Sequence, residues 1–252
     1  MSEFCGQDVT VAERDTRAAF LRKTAVGGGL VLGGGALATF GTGVAYANNS
    51  DGDGVPDVDI LNFALTLEYL EAAFYVQALG GAGTDGVPAS DGEFDERQVR
   101  RSDAFDGFGR RNRETAYEYL TTIRDHEVTH VDFLRGALAD NAVGACTFNF
   151  SSALESVETF LATAQVLENT GVMAYDGAIR YVETPDFLQA GAQIATVEAR
   201  HAAYLNLVNE TSPFPDAFDT GKPPSEIIEA VKATGFIDDC PQEVLDLFAR
   251  LP

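Results

Sequence analysis

"RDHEVTHVDFL" (residues 124–134) and "IATVEARHAAYL" (residues 194–205) hold the main clue to the fold. The chain has three histidines, and two of them follow a glutamate by three positions: Glu127 with His130, and Glu198 with His201. Residues three apart share one face of an α-helix, so each pair aims a carboxylate and an imidazole in the same direction. An acidic chain that places its scarcest functional side chain twice in one local pattern calls for a common cause.

Each pair falls within a longer helical periodicity. A first helix reads from Val58 to Leu79, where Ile60, Leu61, Ala64, Leu65, Leu67, Phe74 and Val76 surround Glu68 and Glu71, and Gly80-Gly81 ends the run. Residues 80–112 are rich in Gly, Asp and Arg and read as irregular, with one short helix near Asp95–Ser102. A second helix spans Arg113–Ala139 and carries the first Glu-x-x-His. Ser152 with Glu155 forms a capping-box signature for a third helix reaching Tyr181. Pro185 and Asp186 open a fourth, which ends near Asn209 and carries the second pair. Short helices near Ser225–Ala233 and Pro241–Arg250 close the chain. There is no alternating strand pattern and no internal repeat beyond the paired motif. The expectation is an all-α fold: a four-helix bundle over residues 58–210 with a helical extension over 211–252.

A four-helix bundle builds a dinuclear carboxylate site from one Glu on each of two helices and one Glu-x-x-His on each of the other two. The second and fourth helices supply Glu127/His130 and Glu198/His201; the first offers Glu68 in "LTLEYLEAAFY" and the third Glu168 in "AQVLENTGVMAY". Both of these glutamates sit among apolar residues, where an unpaired carboxylate is costly unless it is protonated, paired or metal-bound. With 3 lysines and 14 arginines against 39 acids, and none of them on the inward stripe of the first helix or near Glu168, metal satisfies all four carboxylates together. A lone Glu-x-x-His is more often a surface ion pair; two of them with two apolar-face glutamates in bundle order reverse that reading. Glu71 is an alternative first-helix ligand or a neighbour of the site. Tyr75 and Tyr175 each lie seven residues after a candidate glutamate and can approach the centre, although most such tyrosines are core. His126, rotated by about 100° from Glu127, reads as a surface or core-edge residue. The arginines at 100, 101, 110, 111 and 113 read as internal charge pairing rather than an anion site.

At these residues the chain resembles the ferritin-like superfamily, and most closely its secreted ferritin-like domain branch, which includes desiccation-related proteins. The segments "DVDILNFALTLEYLEAAFY", "IRDHEVTHVDFLRGAL", "LENTGVMAYDGA" and "IATVEARHAAYL" carry the likeness, which covers roughly residues 57–210. The resemblance implies two divalent metal ions, iron or manganese, at Glu68, Glu127, His130, Glu168, Glu198 and His201. It leaves two classes of function open. One is redox chemistry with O2 or H2O2, as in an oxidase or a catalase-like enzyme. The other is a non-catalytic, stress-protective or iron-binding role.

The rest of the chain speaks to compartment. Its formal charge is −22, and positions 1–47 hold four acidic and four basic residues, so the whole acidic excess belongs to residues 48–252. Such a surface disfavours nucleic acid and anionic membranes as partners and resembles haloadapted proteins. Residues 14–47 read as an export signal: a basic start, a Gly-rich weakly apolar stretch, and Ala45-Tyr46-Ala47 as a small-residue cleavage site. "TRAAFLRK" resembles a twin-arginine signal, with Ala18 in place of the second arginine. The modest hydrophobicity argues against a stable membrane anchor. Residues 48–57 read as an acidic linker; Asn49, Asp51, Asp53 and Asp57 echo a calcium loop, but Ile60 stands where an EF-hand needs Glu. In an exported chain, Cys146 and Cys240 form an even pair and are expected to be a disulfide, Cys5 lying in the leader.

Overall fold

The computed structural model describes residues 54–252, and the export-signal reading lies outside them, as does the linker reading up to residue 53. Seven α-helices occur among the described residues: α1 (Asp57–Leu79), α2 (Glu96–Arg101), α3 (Arg110–Leu138), α4 (Val157–Ala178), α5 (Pro185–Val208), α6 (Pro224–Ala233) and α7 (Gln242–Arg250). Four of them, α1, α3, α4 and α5, form the bundle, and the fold is all-α as the periodicity predicts. None of the helices among the described residues is long and apolar enough to cross a membrane.

Among the described residues α1 is the central helix. From Asp59 to Leu79 every residue but Gln77 is buried, so this helix has no solvent face. A helix apolar all round must be covered all round. α3 and α4 pack on two of its sides, and α7 returns from the end of the chain to cover a third. Arg250 on α7 clamps the start of α1, its Nε and Nη2 donating to the two carboxylate oxygens of Asp59 at 2.7 and 2.8 Å.

Two closely packed antiparallel pairs, α1/α3 and α4/α5, build the bundle. In the first, the Asn62 amide donates to the Asn141 carbonyl at one end, and Arg124 donates to the Gly80 carbonyl near the other. In the second, Asn209 donates to the Leu161 carbonyl. α1 also runs antiparallel to α4, which leaves α3 and α4 pointing the same way. An up-down bundle, the simplest reading of four consecutive helices, would have put the α3–α4 connection at one end. Parallel helices require a crossover instead, and residues 139–156 travel the length of α1, from Asn141 beside Asn62 to Phe150, whose ring meets Phe74 at 5.2 Å.

This crossover explains two departures from the sequence reading. The capping box of α4 is Ser156 with Thr159, not Ser152 with Glu155. Residues 151–155 are taken up by the turn that ends the crossover, where the Ala153 and Leu154 amides both donate to the Phe150 carbonyl. The crossover also carries a strand, β1 (Thr147–Phe148), paired antiparallel with β2 (Ile237–Asp239). Strands of two and three residues are too short for an alternating pattern to show. The Cys146–Cys240 disulfide closes the same junction, with a Cα–Cα distance of 4.2 Å.

Three of the clustered arginines are paired with nearby acids: Arg100 with Glu96 at 2.9 Å, Arg110 with Glu114 at 2.8 Å and Arg113 with Asp106 at 2.5 Å. The Arg110–Glu114 pair spans the first turn of α3, which starts three residues earlier than its apolar periodicity suggests. Asp57, included in the linker reading, is the first residue of α1. Its carboxylate accepts from the Glu183 and Thr184 amides of the α4–α5 connection, at 2.8 and 2.9 Å.

Candidate metal centre

Midway along the bundle, each of the four helices contributes to one polar layer. α1 brings Glu68, α3 brings Glu127 and His130, α4 brings Glu168, and α5 brings Glu198 and His201. The four carboxylates have no exposed surface, and the imidazoles are nearly as deeply buried. The apolar residues beside them in sequence force this burial, because turning Glu68 outward would bring Leu67 or Tyr69 with it.

The layer divides into two sets of four residues whose donor atoms lie within 4.8 Å of one another. One set is Glu68, Glu127, His130 and Glu198; the other is Glu127, Glu168, Glu198 and His201. Glu127 and Glu198 belong to both. His130 Nδ1 lies 3.1 Å from Glu68 Oε2, 3.2 Å from Glu127 Oε2 and 3.2 Å from Glu198 Oε1. His201 Nδ1 lies 2.9 Å from Glu127 Oε1 and 3.2 Å from Glu168 Oε2. One ring N–H cannot serve so many oxygens. Although Glu127 Oε1 is close to His201, it lacks hydrogen-bond geometry, and it is left without a hydrogen bond, as are both oxygens of Glu198.

Orphaned buried carboxylate oxygens are expensive, and here they converge on shared points. Glu71 adds a fifth buried carboxyl, so with all five ionised three negative charges would remain even with both imidazoles protonated. Two divalent cations would instead balance Glu68, Glu127, Glu168 and Glu198 with both imidazoles neutral. The donor set of carboxylate oxygens and imidazole nitrogen suits iron or manganese. The residues present therefore fit two such ions.

The electrostatics show the same crowding. Burial raises the Glu68 carboxyl to about 7, against the opposing pull of His130. Glu198 is held well above the usual carboxylate range by burial and then by Glu127. Glu71 is raised by burial and by Glu198, Glu168 and Glu127. Burial also works against ionising Glu127, but His130 and His201 overcome it and hold that carboxyl low. Burial alone would lower His130 and His201; the neighbouring carboxylates prevail, raising His130 strongly and His201 to about 11.

Two tyrosines complete the layer in a reciprocal arrangement. Tyr75 on α1 donates to Glu168 Oε1 at 2.6 Å, and Tyr175 on α4 donates to Glu68 Oε1. Each orients the carboxylate supplied by the other's helix. Burial, followed by the carboxylate it touches, holds each phenol well above its ordinary value, so both stay protonated as donors. Glu71 lies behind the layer, facing Gly171: a Cβ built at Gly171 would be 3.2 Å from both Glu71 Oε1 and Glu198 Oε2. Glycine at 171 leaves room for these two carboxylates.

His126 stays at the exposed edge of α3, as its offset from Glu127 predicts, yet its ring reaches the site. Its Nδ1 is 2.9 Å from His201 Nε2, and the rings stack with centroids 5.2 Å apart. It holds the ring nitrogen that points away from the carboxylates. The signal in the sequence is its spacing from His130: four residues apart, the two share a helix face. The 100° offset from Glu127 conceals this, because α3 lies across from α5 and residues beside the metal-facing stripe meet the neighbouring helix.

A buried carboxylate–imidazole centre, held in a four-helix bundle with a long crossover between its second and third helices, is the hallmark of a ferritin-like protein. The pattern of the ferritin-like domain family matches residues 56–210, more than half of the chain, and the chain belongs to that family. It is also similar to protein rds1 of Schizosaccharomyces pombe, with 25% identity over 188 residues that cover 74% of this chain and 40% of that protein. The chain thus spans less than half the length of this relative.

Proposed function

We propose that the protein is an exported dinuclear carboxylate–histidine metalloprotein whose centre reacts with O2 or peroxide. The observation that carries this reading is the sharing of Glu127 and Glu198 between two four-residue donor sets. In it, Glu127 and Glu198 would be the ligands common to both positions. Glu68 with His130 completes one position, and Glu168 with His201 the other. Iron or manganese, when bound, would supply the electrons exchanged with the oxidant. The chain's own residues do the rest. Tyr75 and Tyr175 orient the terminal carboxylates, His126 orients His201, and the apolar layers above and below keep bulk water out, which strengthens every electrostatic contact inside.

Export rests on the Gly-rich leader with Ala45-Tyr46-Ala47, on the likeness to the secreted branch with desiccation-related members, and on the Cys146–Cys240 disulfide, a bond that persists in oxidising compartments. The acidic, Lys-poor surface supports a halophilic prokaryotic source. A mature N-terminus at Asn48, read by mass spectrometry of secreted or envelope protein, is the expected result; an intact leader on cytoplasmic protein overturns it.

Metal analysis of native protein, followed by O2 and H2O2 consumption at known metal content, tests the central reading. Near two ions per chain with oxidant turnover supports it. Two ions without turnover of either oxidant favours the non-catalytic, stress-protective or iron-binding role. No bound transition metal removes the reading altogether.

A further inference from the structure

Six of the 14 arginines fall within residues 97–113, in a chain of 39 acids and 17 bases. Internal pairing accounts for half of them: Glu96, Glu114 and Asp106 hold Arg100, Arg110 and Arg113. Arg97, Arg101 and Arg111 form no ion pair or side-chain hydrogen bond among the described residues. In a chain so rich in carboxylates, three unpaired guanidinium groups in one short stretch call for another partner.

Local structure brings these cations together. The last turn of α2 carries Arg100 and Arg101. Arg110, Arg111 and Arg113 stand at the start of α3, whose first turn holds no acid and whose cap residue, Gly109, offers no side-chain bond. Cations are disfavoured at that end of a helix, where the dipole is positive and the first amides lack partners. An anion placed there would offset both. α2 packs on α3, and the Glu114 carboxyl is lowered by Arg110 and, from α2, by Arg100.

A groove of about 690 Å3 lies between the two helices, lined by Arg97, Arg100, Arg101, Arg110 and Arg113 together with Asp95, Glu96 and Glu114. Every lining side chain is charged, and five arginines against three carboxylates leave a net charge of +2. The acids are already engaged: Asp95 caps α2, while Glu96 and Glu114 hold Arg100 and Arg110. Arg97 and Arg101 are left exposed and free to bind.

The lining selects the occupant. No apolar or aromatic side chain is present to receive a hydrophobic body. Guanidinium forks match the oxygens of carboxylate and phosphate groups. A carboxylate is flat and engages one fork, whereas a tetrahedral group turns oxygens toward both walls at once. A doubly charged occupant balances the lining. The space is that of a small-molecule site (roughly 300–1,000 Å3), so a polar body beyond the charged group is needed to fill it.

We propose that the groove between α2 and the start of α3 binds a tetrahedral oxyanion, the phosphate or sulfate monoester of a sugar-like molecule. None of its residues belongs to a metal donor set, so the site stands apart from the carboxylate layer and does not depend on the reading of that centre.

Calorimetric titration of the native protein at fixed ionic strength tests it, using the phosphate and sulfate monoesters of glucose. Binding of either ester supports the site and identifies the charged group it takes; inorganic phosphate should bind more weakly and glucose not at all. Arg97→Gln and Arg101→Gln should each weaken binding about 5-fold, the order for a solvent-exposed charged pair. The double variant should lose more, with metal content unchanged. Arg200→Gln makes the same charge change on an exposed position of α5 and should leave binding as it is. Neither ester binding beyond a chloride control, succinate binding more tightly than both, or equal loss in Arg200→Gln would overturn the site. So would binding that survives the double variant. Self-association abolished by the double variant, without ester binding, would instead give the groove to the acidic surface of a second copy.

Discussion

Glu127 and His201, 74 residues apart on α3 and α5, approach to 2.9 Å, while Glu127 also lies 3.2 Å from His130 on its own helix. One carboxylate thus spans both halves of the polar layer. Glu198 does the same from the opposite helix. This sharing sets an asymmetry between ligands that the paired motifs alone do not show, because a three-residue spacing fixes which residues share a face and not which carboxylate reaches both sets.

Metal stoichiometry should expose it. Glu127→Gln and Glu198→Gln each remove a donor from both sets and should reduce binding to well under one ion per chain. Glu68→Gln and Glu168→Gln each touch one set and should retain about one ion, as bridging and terminal ligands differ in reach. Elemental analysis after dialysis against a weak chelator reads the difference; equal losses from all four variants would sink the bridging assignment.

Tyr75→Phe and Tyr175→Phe each remove a buried donor to a carboxylate. Each should cost about 1.5–3 kcal/mol of stability, the range for a hydrogen bond to a charged group. Metal content should stay intact, because neither phenol belongs to a donor set. Chemical denaturation of the metal-loaded variants measures the loss, and unchanged midpoints would show that the bonds contribute nothing.

His126 acts through His201. Outer partners of ligating imidazoles typically alter metal affinity by about 10–100-fold, so His126→Ala should weaken one of the two ions by that factor and spare the other. Calorimetric titration resolving two binding steps is the measurement. Loss of both ions together would point to general unfolding, and no change would leave His126 a packing residue.

The disulfide straps the crossover to the C-terminal extension across 94 residues of sequence, and neither cysteine belongs to a donor set. Chain-entropy reasoning gives such a loop on the order of 4–5 kcal/mol. Cys240→Ser should therefore lower the unfolding temperature while metal stoichiometry stays the same. Two freely alkylated thiols in the native mature protein would contradict the bond itself.

Much of the centre was legible in the linear sequence. Helix periodicity turns a three-residue spacing into a shared face, and the apolar neighbours of Glu68 and Glu168 make their burial unavoidable. The six-residue donor set, the helical class and the cysteine pair all follow from such local rules. How those faces meet is a matter of packing. The parallel course of α3 and α4, and with it the crossover that displaced the α4 cap from Ser152 to Ser156, depends on contacts between residues some 80 positions apart in sequence. The sharing of Glu127 and Glu198 between the two donor sets and the stacking of His126 on His201 both lie where separate helices approach one another. Periodicity places a side chain on a face of its own helix, but the distance and register between two helices are set only when both are packed.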